Sequence, residues 1–333
     1  MKKNKESFRT YVCFLFSIIA LSMSSSLVNA YSKDNHEFIT RQAVDLLEAC
    51  KIRDIKEDYV ESMVRYNIGQ DELTRKLLIW HFPAAAKGEE YRSPLATFSL
   101  VSSFALDTNF EIWTTYLAKE LNRSHATWTT YPALGALLHY VQDVSVPAHA
   151  IPIFHPSSYF PPQTDGFDNW SRFSGFSELS EACDNIKGFK SVEKLLKDAR
   201  SNTLTNIQKP KAFKYLIDGV STDGSWIMLW PVKFPDRWIN DGFSRYGCSG
   251  DSFGDAEIDC NDQIIQVPLS SYVSIASTQV KDAIYNSAKL IYSFTSKIHA
   301  PDCHGNQCAD AEDGDKRWLP NTKKLKEELG ITY

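Results

Sequence analysis

Long apolar runs, excess positive charge and abundant glycine are all missing from this sequence, and each absence excludes a class of protein. Beyond residue 23, no segment offers the roughly 20 apolar residues that a bilayer-spanning helix needs. Glycine and proline number 15 and 14 among 333 residues, which excludes collagen-like and low-complexity chains. The 36 Lys and Arg residues face 41 Asp and Glu, so the net charge of −5 gives no overall attraction to nucleic acids or anionic membranes.

The hydrophobic content is that of a folded protein, because 43% of the residues are apolar and 23% are charged. Alternating strand patterns are scarce, whereas apolar residues recur at the helical period through most of the chain. The helical stripes run through residues 39–47, 59–66, 95–121, 132–143, 192–207 and 272–298. We therefore predict an all-α fold in which residues 31–300 form a single multi-helix domain.

Two regions of the chain depart from the helical pattern. Residues 209–267 are rich in Gly, Asp, Trp and Pro and show little periodicity, so they are predicted to be a long, loop-rich insertion. Residues 301–333 are predicted to be a C-terminal tail stapled by a disulfide.

The first thirty residues have the composition of a secretory signal peptide. Four basic residues precede an apolar run over residues 11–23, and Val28-Asn29-Ala30 places small side chains at the cleavage positions. We predict cleavage after Ala30 and a secreted or periplasmic protein. A retained membrane anchor is the alternative, which the short length of the apolar run disfavours.

Six cysteines remain once the predicted signal peptide is removed, and an oxidising compartment makes three disulfides the expected outcome. Six cysteines allow fifteen pairings. Short separations in sequence favour two of the pairs and leave the third by difference. The favoured set is Cys248 with Cys260, Cys303 with Cys308, and Cys50 with Cys183. A zinc site made of cysteines is the alternative, although neither short pair has the two-residue spacing of zinc ribbons or fingers.

The segment from residue 133 to 150 carries the most informative polar residues. His139 and Asp143 are four residues apart, so on a helix they project from one face, one turn apart. Pro147 interrupts the helix, which lets His149 point back toward the same place. Because an unpaired charge inside such an apolar helix would be costly, a metal ion bound by the pair is the favoured interpretation. A buried His–Asp ion pair is the alternative.

Two further groups of potential ligands lie upstream. Asp71 and His81 flank a short loop. Cleavage after Ala30 would expose the amino group of Tyr31, five residues before His36. With a pKa of about 7.7–8.0, a free α-amino group can lose its proton and bind a metal ion together with its own carbonyl oxygen.

Taken in order, these residues resemble the ligand pattern of the zinc-dependent phospholipase C family. That family is an all-helical secreted group that includes clostridial α-toxins and has the S1/P1 nucleases as distant relatives. The resemblance covers residues 31 to about 168 and the long helix near residues 272–298. It implies a phospholipase C/P1 nuclease-like domain with two or three Zn²⁺ ions. The implied metal ligands are Tyr31, His36, Asp71, His81, His139, Asp143, His149 and Asp168.

Two positions depart from the family pattern. Tyr31 replaces the usual Trp at the start of the mature chain, which matters little because backbone atoms bind the metal. Thr164 replaces the His of a His-x3-Glu motif whose Glu position is taken by Asp168. Either Asp165 or His155 could supply the missing ligand, so the number and identity of the metal ions stay open.

The resemblance implies a zinc metallophosphodiesterase that hydrolyses phosphatidylcholine-like lipids at a membrane surface to diacylglycerol and a phosphorylated head group. Asp71 would orient and deprotonate the attacking water. The alternatives are an S1/P1-type single-strand nuclease and a non-catalytic, zinc-stabilised module that binds membranes. The Gly-Gly-Asn loop typical of the nucleases is missing after His149, which disfavours nucleic acid as a partner. We expect a monomer.

Aromatic side chains in the predicted insertion have two interpretations. They could dip into a lipid interface or pack over the helices, and the sequence favours neither. These side chains are Trp226, Trp230, Trp238 and Phe243.

Overall fold

The computed structural model describes residues 31–71, 110–123, 127–151, 153, 165–173, 183–230, 247–248, 252–260 and 262–295. These residues form eight α-helices and four β-strands. The helices are α1 (Lys33–Ala49), α2 (Glu57–Ile68), α3 (Phe110–Arg123), α4 (Thr127–Asp143), α5 (Pro147–Ala150), α6 (Cys183–Ile186), α7 (Val192–Gln208) and α8 (Leu269–Thr295). The strands are β1 (Phe213–Ile217), β2 (Val220–Gly224), β3 (Glu257–Cys260) and β4 (Gln263–Gln266), and short 3₁₀ turns cover Gly69–Asp71 and Trp226–Met228.

Helix α4 is the centre of the helical part, because it packs against α1, α2, α3, α7 and α8. All of its residues from Thr130 to Asp143 are buried. A helix that is apolar on nearly every side is buried on all sides, because none of its faces is polar enough for contact with water. The helical stripe predicted over residues 132–143 is confirmed.

Two of the helices that surround α4 begin at residues that cap them. At the start of α1, the Ser32 hydroxyl accepts a hydrogen bond from the Asn35 backbone N–H, and at the start of α7 Ser191 accepts one from Lys194. Such caps satisfy backbone donors that the helix itself leaves without partners. Helix α8 is 27 residues long, yet across the described ranges no helix combines the length and the hydrophobicity needed to cross a bilayer.

The prediction of an all-α fold is wrong. Residues 213–266 contain a four-stranded antiparallel sheet in the order β2-β1-β4-β3. The β1–β2 and β3–β4 hairpins are joined where Leu216 and Ile217 pair with Gln266 and Ile265. The inward-facing residues of the sheet belong to the same hydrophobic core as the helices. Part of the predicted loop insertion is therefore a sheet that covers the helical body.

The strands lack a clear sequence signal because they are short and half exposed. Each is four or five residues long, and β2 reads Val-Ser-Thr-Asp-Gly with a single buried residue at its end. The local signal is the Asp218-Gly219 dipeptide between β1 and β2. Both residues have positive φ, 50° and 78°, which is the conformation that a two-residue hairpin turn requires and that Asp-Gly favours.

The tryptophans described in this region pack inward. Trp226 is 2% exposed and Trp230 is fully buried. The Trp226 ring stacks on Phe213 with ring centroids 4.1 Å apart. The packing interpretation therefore holds for these two residues, while Trp238 and Phe243 lie outside the described residues.

Two predicted disulfides are confirmed. Cys50 and Cys183 join the end of α1 to α6, with Cα atoms 5.4 Å apart, and Cys248 and Cys260 join residue 248 to β3 at 4.4 Å. The predicted bridge in the C-terminal tail and the predicted signal peptide lie outside the described residues. Disulfides are typical of proteins that fold outside the reducing cytoplasm.

Gly135 allows α4 to approach α2 closely. A Cβ atom at this position would lie 2.9 Å from the Met63 Cα and closer still to the Met63 carbonyl oxygen. We expect Gly135→Ala to destabilise the fold by about 1–3 kcal/mol, because backbone atoms of α2 must shift to admit the methyl group. Thermal unfolding followed by circular dichroism measures the change.

Gly188→Ala is the matched control. The nearest atom that its Cβ would meet is the Asn185 carbonyl oxygen at 3.3 Å, a contact that a small adjustment relieves. If the two variants unfold at the same temperature, the helix contact at Gly135 does not limit stability.

Candidate metal centre

Three separate elements bring four of the predicted ligands to one buried space. Helix α1 carries His36, the 3₁₀ turn after α2 ends at Asp71, and α4 carries His139 and Asp143. Their exposed fractions are 0–2%. The four-residue spacing places the two α4 side chains on one face, and the other two reach it because α1 and α2 both pack against α4.

Each carboxylate presents one oxygen to each of two imidazoles. Asp143 Oδ1 lies 3.5 Å from His36 Nε2, and Asp143 Oδ2 lies 3.2 Å from His139 Nε2. Asp71 faces the same two nitrogens at 3.7 Å each, with Oδ2 toward His36 and Oδ1 toward His139. Ligand atoms of His36, His139 and Asp143 lie within 4.8 Å of one another, so this group could hold a metal ion.

The spacing differs from that of a closed ion pair. Charge-assisted hydrogen bonds between nitrogen and oxygen are about 2.7–2.9 Å long, and the imidazole–carboxylate distances here are 3.2–3.8 Å. His36 Nε2 is buried and forms no hydrogen bond with any described residue. Because a buried nitrogen without a hydrogen bond is costly, an ion between it and the carboxylates would stabilise the arrangement.

Helix α5 directs a third imidazole toward Asp143. Pro147 is the first residue of α5, where its fixed φ suits a helix start. His149, two residues later, is 4% exposed and its Nδ1 lies 3.8 Å from Asp143 Oδ2. Asp143 Oδ2 therefore faces both His139 and His149.

Buried amides hold the second nitrogen of His36 and of His139. His36 Nδ1 lies 2.6 Å from Gln142 Oε1, and His139 Nδ1 lies 3.2 Å from Asn67 Oδ1. Since an amide oxygen only accepts, this network assigns the proton of each ring to Nδ1 and leaves the Nε2 lone pair directed at the carboxylates. That tautomer is the one that a metal ion binds through Nε2.

Hydrogen bonds between the Asn67 and Gln142 side chains, and to a shared hydroxyl, also hold the two amides in place. Asn67 Nδ2 donates to Gln142 Oε1 at 3.0 Å and to Thr40 Oγ1 at 2.9 Å. Gln142 Nε2 donates to Thr40 Oγ1 at 3.1 Å and to Ser287 Oγ at 3.3 Å. The network thus links α1, α2, α4 and α8 around the two histidines.

Asn67 and Gln142 belong to the site although the ligand pattern in the sequence does not include them. Gln142 directly precedes Asp143, and Asn67 lies four residues before Asp71. Both are amides in otherwise apolar stretches, and a buried amide must find hydrogen-bond partners. The signal that the sequence offered was that each amide lies within four residues of a candidate metal ligand.

The predicted mature N-terminus lies beside the cluster. Tyr31 is fully buried, and its ring is edge-on to His36 with centroids 5.8 Å apart. Ser32 N donates to the Asp168 carbonyl oxygen at 2.9 Å, which fastens this segment near Asp168. Burial raises the pKa of the Tyr31 phenol well above its usual value, and the Asp168 and Asp143 carboxylates raise it further.

The structure brings five predicted residues together, with two more adjacent to them. The five are His36, Asp71, His139, Asp143 and His149, and the adjacent two are Tyr31 and Asp168. The remaining predicted ligand, His81, lies outside the described residues, as do Thr164 and His155.

Asp165 has a different role from the ligand role suggested for it. Its Oδ1 accepts a hydrogen bond from Phe167 N at 2.8 Å, and its Oδ2 accepts one from Trp230 Nε1 at 3.0 Å. The carboxylate therefore holds the turn that leads to Asp168 and joins it to Trp230, two residues after the 3₁₀ turn that follows β2.

Comparisons of the chain with protein-family models, curated proteins and solved structures found no match. The phospholipase C resemblance accordingly rests on the order and spacing of the ligand residues. The geometry supports the coarser conclusion by itself, namely that a buried His36–His139–Asp143 group could hold a metal ion.

Replacing Gln142 tests whether the amide network prepares the histidines for metal. Gln142→Met keeps the side-chain length and apolar packing but removes the acceptor for His36 Nδ1–H. We expect the affinity for Zn²⁺ to fall about 10–100-fold, the usual effect of losing such a partner. Competition with a chromophoric chelator measures it, and circular dichroism checks that the variant is folded.

Ser287→Ala is the control for this experiment. It removes only the 3.3 Å bond from Gln142 Nε2 to Ser287 Oγ and leaves the contact between Gln142 and His36 in place. The affinity for Zn²⁺ should change much less. Equal affinity in Gln142→Met and the native protein would contradict the role assigned to Gln142.

Proposed function

We propose that this protein is an exported zinc-dependent phosphodiesterase that hydrolyses phosphatidylcholine-like lipids to diacylglycerol and a phosphorylated head group. One observation carries the proposal: the Nε2 atoms of His36 and His139 meet two carboxylates in a fully buried space. The order of these residues along the chain is that of the zinc-dependent phospholipases C.

The donor set fits zinc. Imidazole and carboxylate are common zinc ligands, and catalytic zinc sites use three protein ligands with a further position open. Two ligands that each lie about 2.0–2.1 Å from a tetrahedral zinc ion are about 3.3 Å from each other. The distances from Asp143 to His139 and His36, 3.2 Å and 3.5 Å, are close to this value.

Bound zinc would polarise the phosphoryl group and favour ionisation of a nearby water. Asp71 is the proposed proton acceptor, because a carboxylate beside a divalent cation stays ionised. As water forms its bond to phosphorus, Asp71 takes its proton. That proton then becomes available to the diacylglycerol oxygen as the phosphorus–oxygen bond breaks.

Export and a lipid substrate are the remaining parts of the proposal. The two disulfides support an oxidising compartment, and the composition of residues 1–30 supports a signal peptide. A net charge of −5 disfavours a polyanion such as DNA, whereas a phosphatidylcholine head group carries no net charge.

The substrate class is tested with the zinc-loaded protein. We expect release of phosphocholine from phosphatidylcholine vesicles and no release of nucleotides from single-stranded DNA. Nucleotide release alone would replace the proposal with the nuclease, and a zinc-loaded, folded protein inactive on both would support the non-catalytic module.

Asp71→Asn tests the proton acceptor. The amide keeps the shape of the side chain but loses the charge, so we expect turnover to fall by about 10²–10⁴-fold while His36, His139 and Asp143 retain most of the zinc. Phosphocholine release and metal content are measured on the same sample. Asp198→Asn, an exposed carboxylate paired with Lys194, is the control and should keep native activity.

A further inference from the structure

A cavity apart from the metal centre is lined by Val144, the residue that follows α4. Its volume is about 480 Å³, within the range of sites that bind small molecules. Helices α3 and α7 and the C-terminal end of α8 form its walls. None of the metal-centre residues lines it.

Two aromatic rings separate the cavity from the metal centre. Phe110 lines the cavity, and its ring is edge-on to Tyr140 with centroids 5.5 Å apart. The Tyr140 ring is in turn edge-on to His139 at 5.4 Å. The Tyr140 ring of α4 therefore lies between the two sites, and the described residues of the metal centre do not line the cavity.

The floor of the cavity is apolar. Phe110, Val144, Leu196 and Phe294 line it, and each is at most 7% exposed. Such a surface releases water favourably when a hydrocarbon chain covers it.

The rim of the cavity is positively charged in a chain whose net charge is negative. Lys190, Lys197 and Arg200 line it, and Glu193 is the one acid among its described lining residues. Within the described part of the chain, neither Lys190 nor Lys197 forms an ion pair. Arg200 Nε donates to the Ala150 carbonyl oxygen at 2.9 Å, which fixes the plane of the guanidinium.

We propose that this cavity binds a monoanionic amphiphile, with the acyl chain on the apolar floor and the head group at Lys190, Lys197 and Arg200. An apolar floor alone would accept any hydrocarbon, and a basic rim alone would accept any anion. Their combination selects a single chain that ends in a carboxylate or a phosphate. This site is independent of the proposed phosphodiesterase activity.

Decanoate is the probe, titrated into the full chain by calorimetry below the concentration at which it forms micelles. We expect saturable binding at one site. Butanoate has the same charge and a chain too short to cover the floor, so it should bind at least 10-fold more weakly. Equal affinity for the two anions, or no binding of decanoate, would overturn the proposal.

Charge variants with opposite expected effects test the rim. Lys190→Glu with Lys197→Glu should weaken decanoate binding by about 10-fold, and Glu193→Gln should strengthen it by about two- to five-fold. Loss of folding cannot produce a gain in affinity. Lys209→Glu, at the other end of α7 and outside the cavity lining, is the control and should bind as the native chain does.

Filling the cavity tests the floor. Ala118 lines it, and Ala118→Trp would place an indole where the chain is expected to lie. Decanoate binding should be lost while thermal unfolding stays close to native. Binding unchanged in this variant, or in the double lysine variant, would show adsorption elsewhere on the surface and contradict the proposal.

Discussion

Burial of two carboxylates against two imidazoles at the centre of the helices is the constraint on which the rest of the structure depends. A carboxylate removed from water is costly unless charges or hydrogen bonds compensate it. Asp71 and Asp143 find such partners where α1, α2 and α4 meet, because α1 contributes His36 and α4 contributes His139. The close approach at Gly135 and the amide network of Asn67 and Gln142 are the means by which the helices keep that meeting point fixed.

The region that contains the sheet also helps to position the metal-centre residues. Trp230, two residues after the 3₁₀ turn that follows β2, donates to Asp165, and Asp165 holds the turn that carries Asp168. The Asp168 carbonyl oxygen accepts from Ser32, at the segment that enters α1 and leads to His36. A region that reads as a loop-rich insertion thereby supports the entry to the metal centre. Its aromatic residues fill the space between this segment and the start of α8.

Helix α4 and the residues after it separate two chemically different spaces. The side that carries His139 and Asp143 is polar and holds the candidate metal-binding side chains. Tyr140 contacts Phe110, and Phe110 and Val144 line an apolar cavity with a basic rim. Arg200 joins the two by binding the carbonyl oxygen of Ala150, the residue after His149. Val144 lines the cavity and directly follows Asp143, so a ligand in the cavity would contact the residue next to a candidate metal ligand.

The sequence alone determines the local parts of this protein. The helical period identifies α1, α2, α4, α7 and α8, and the spacing of His139 and Asp143 places them on one face, because both depend on the fixed geometry of a helix. Short sequence separation also favours the Cys248–Cys260 disulfide, and the Cys50–Cys183 pair follows by difference. Tertiary structure decides the rest. The strands are stable only because they pair with one another and cover the core, and their short, half-exposed segments carry little signal by themselves. The roles of Asn67 and Gln142 follow from contacts between residues about 70 to 145 positions apart in the chain, and only packing can bring such residues within hydrogen-bond distance.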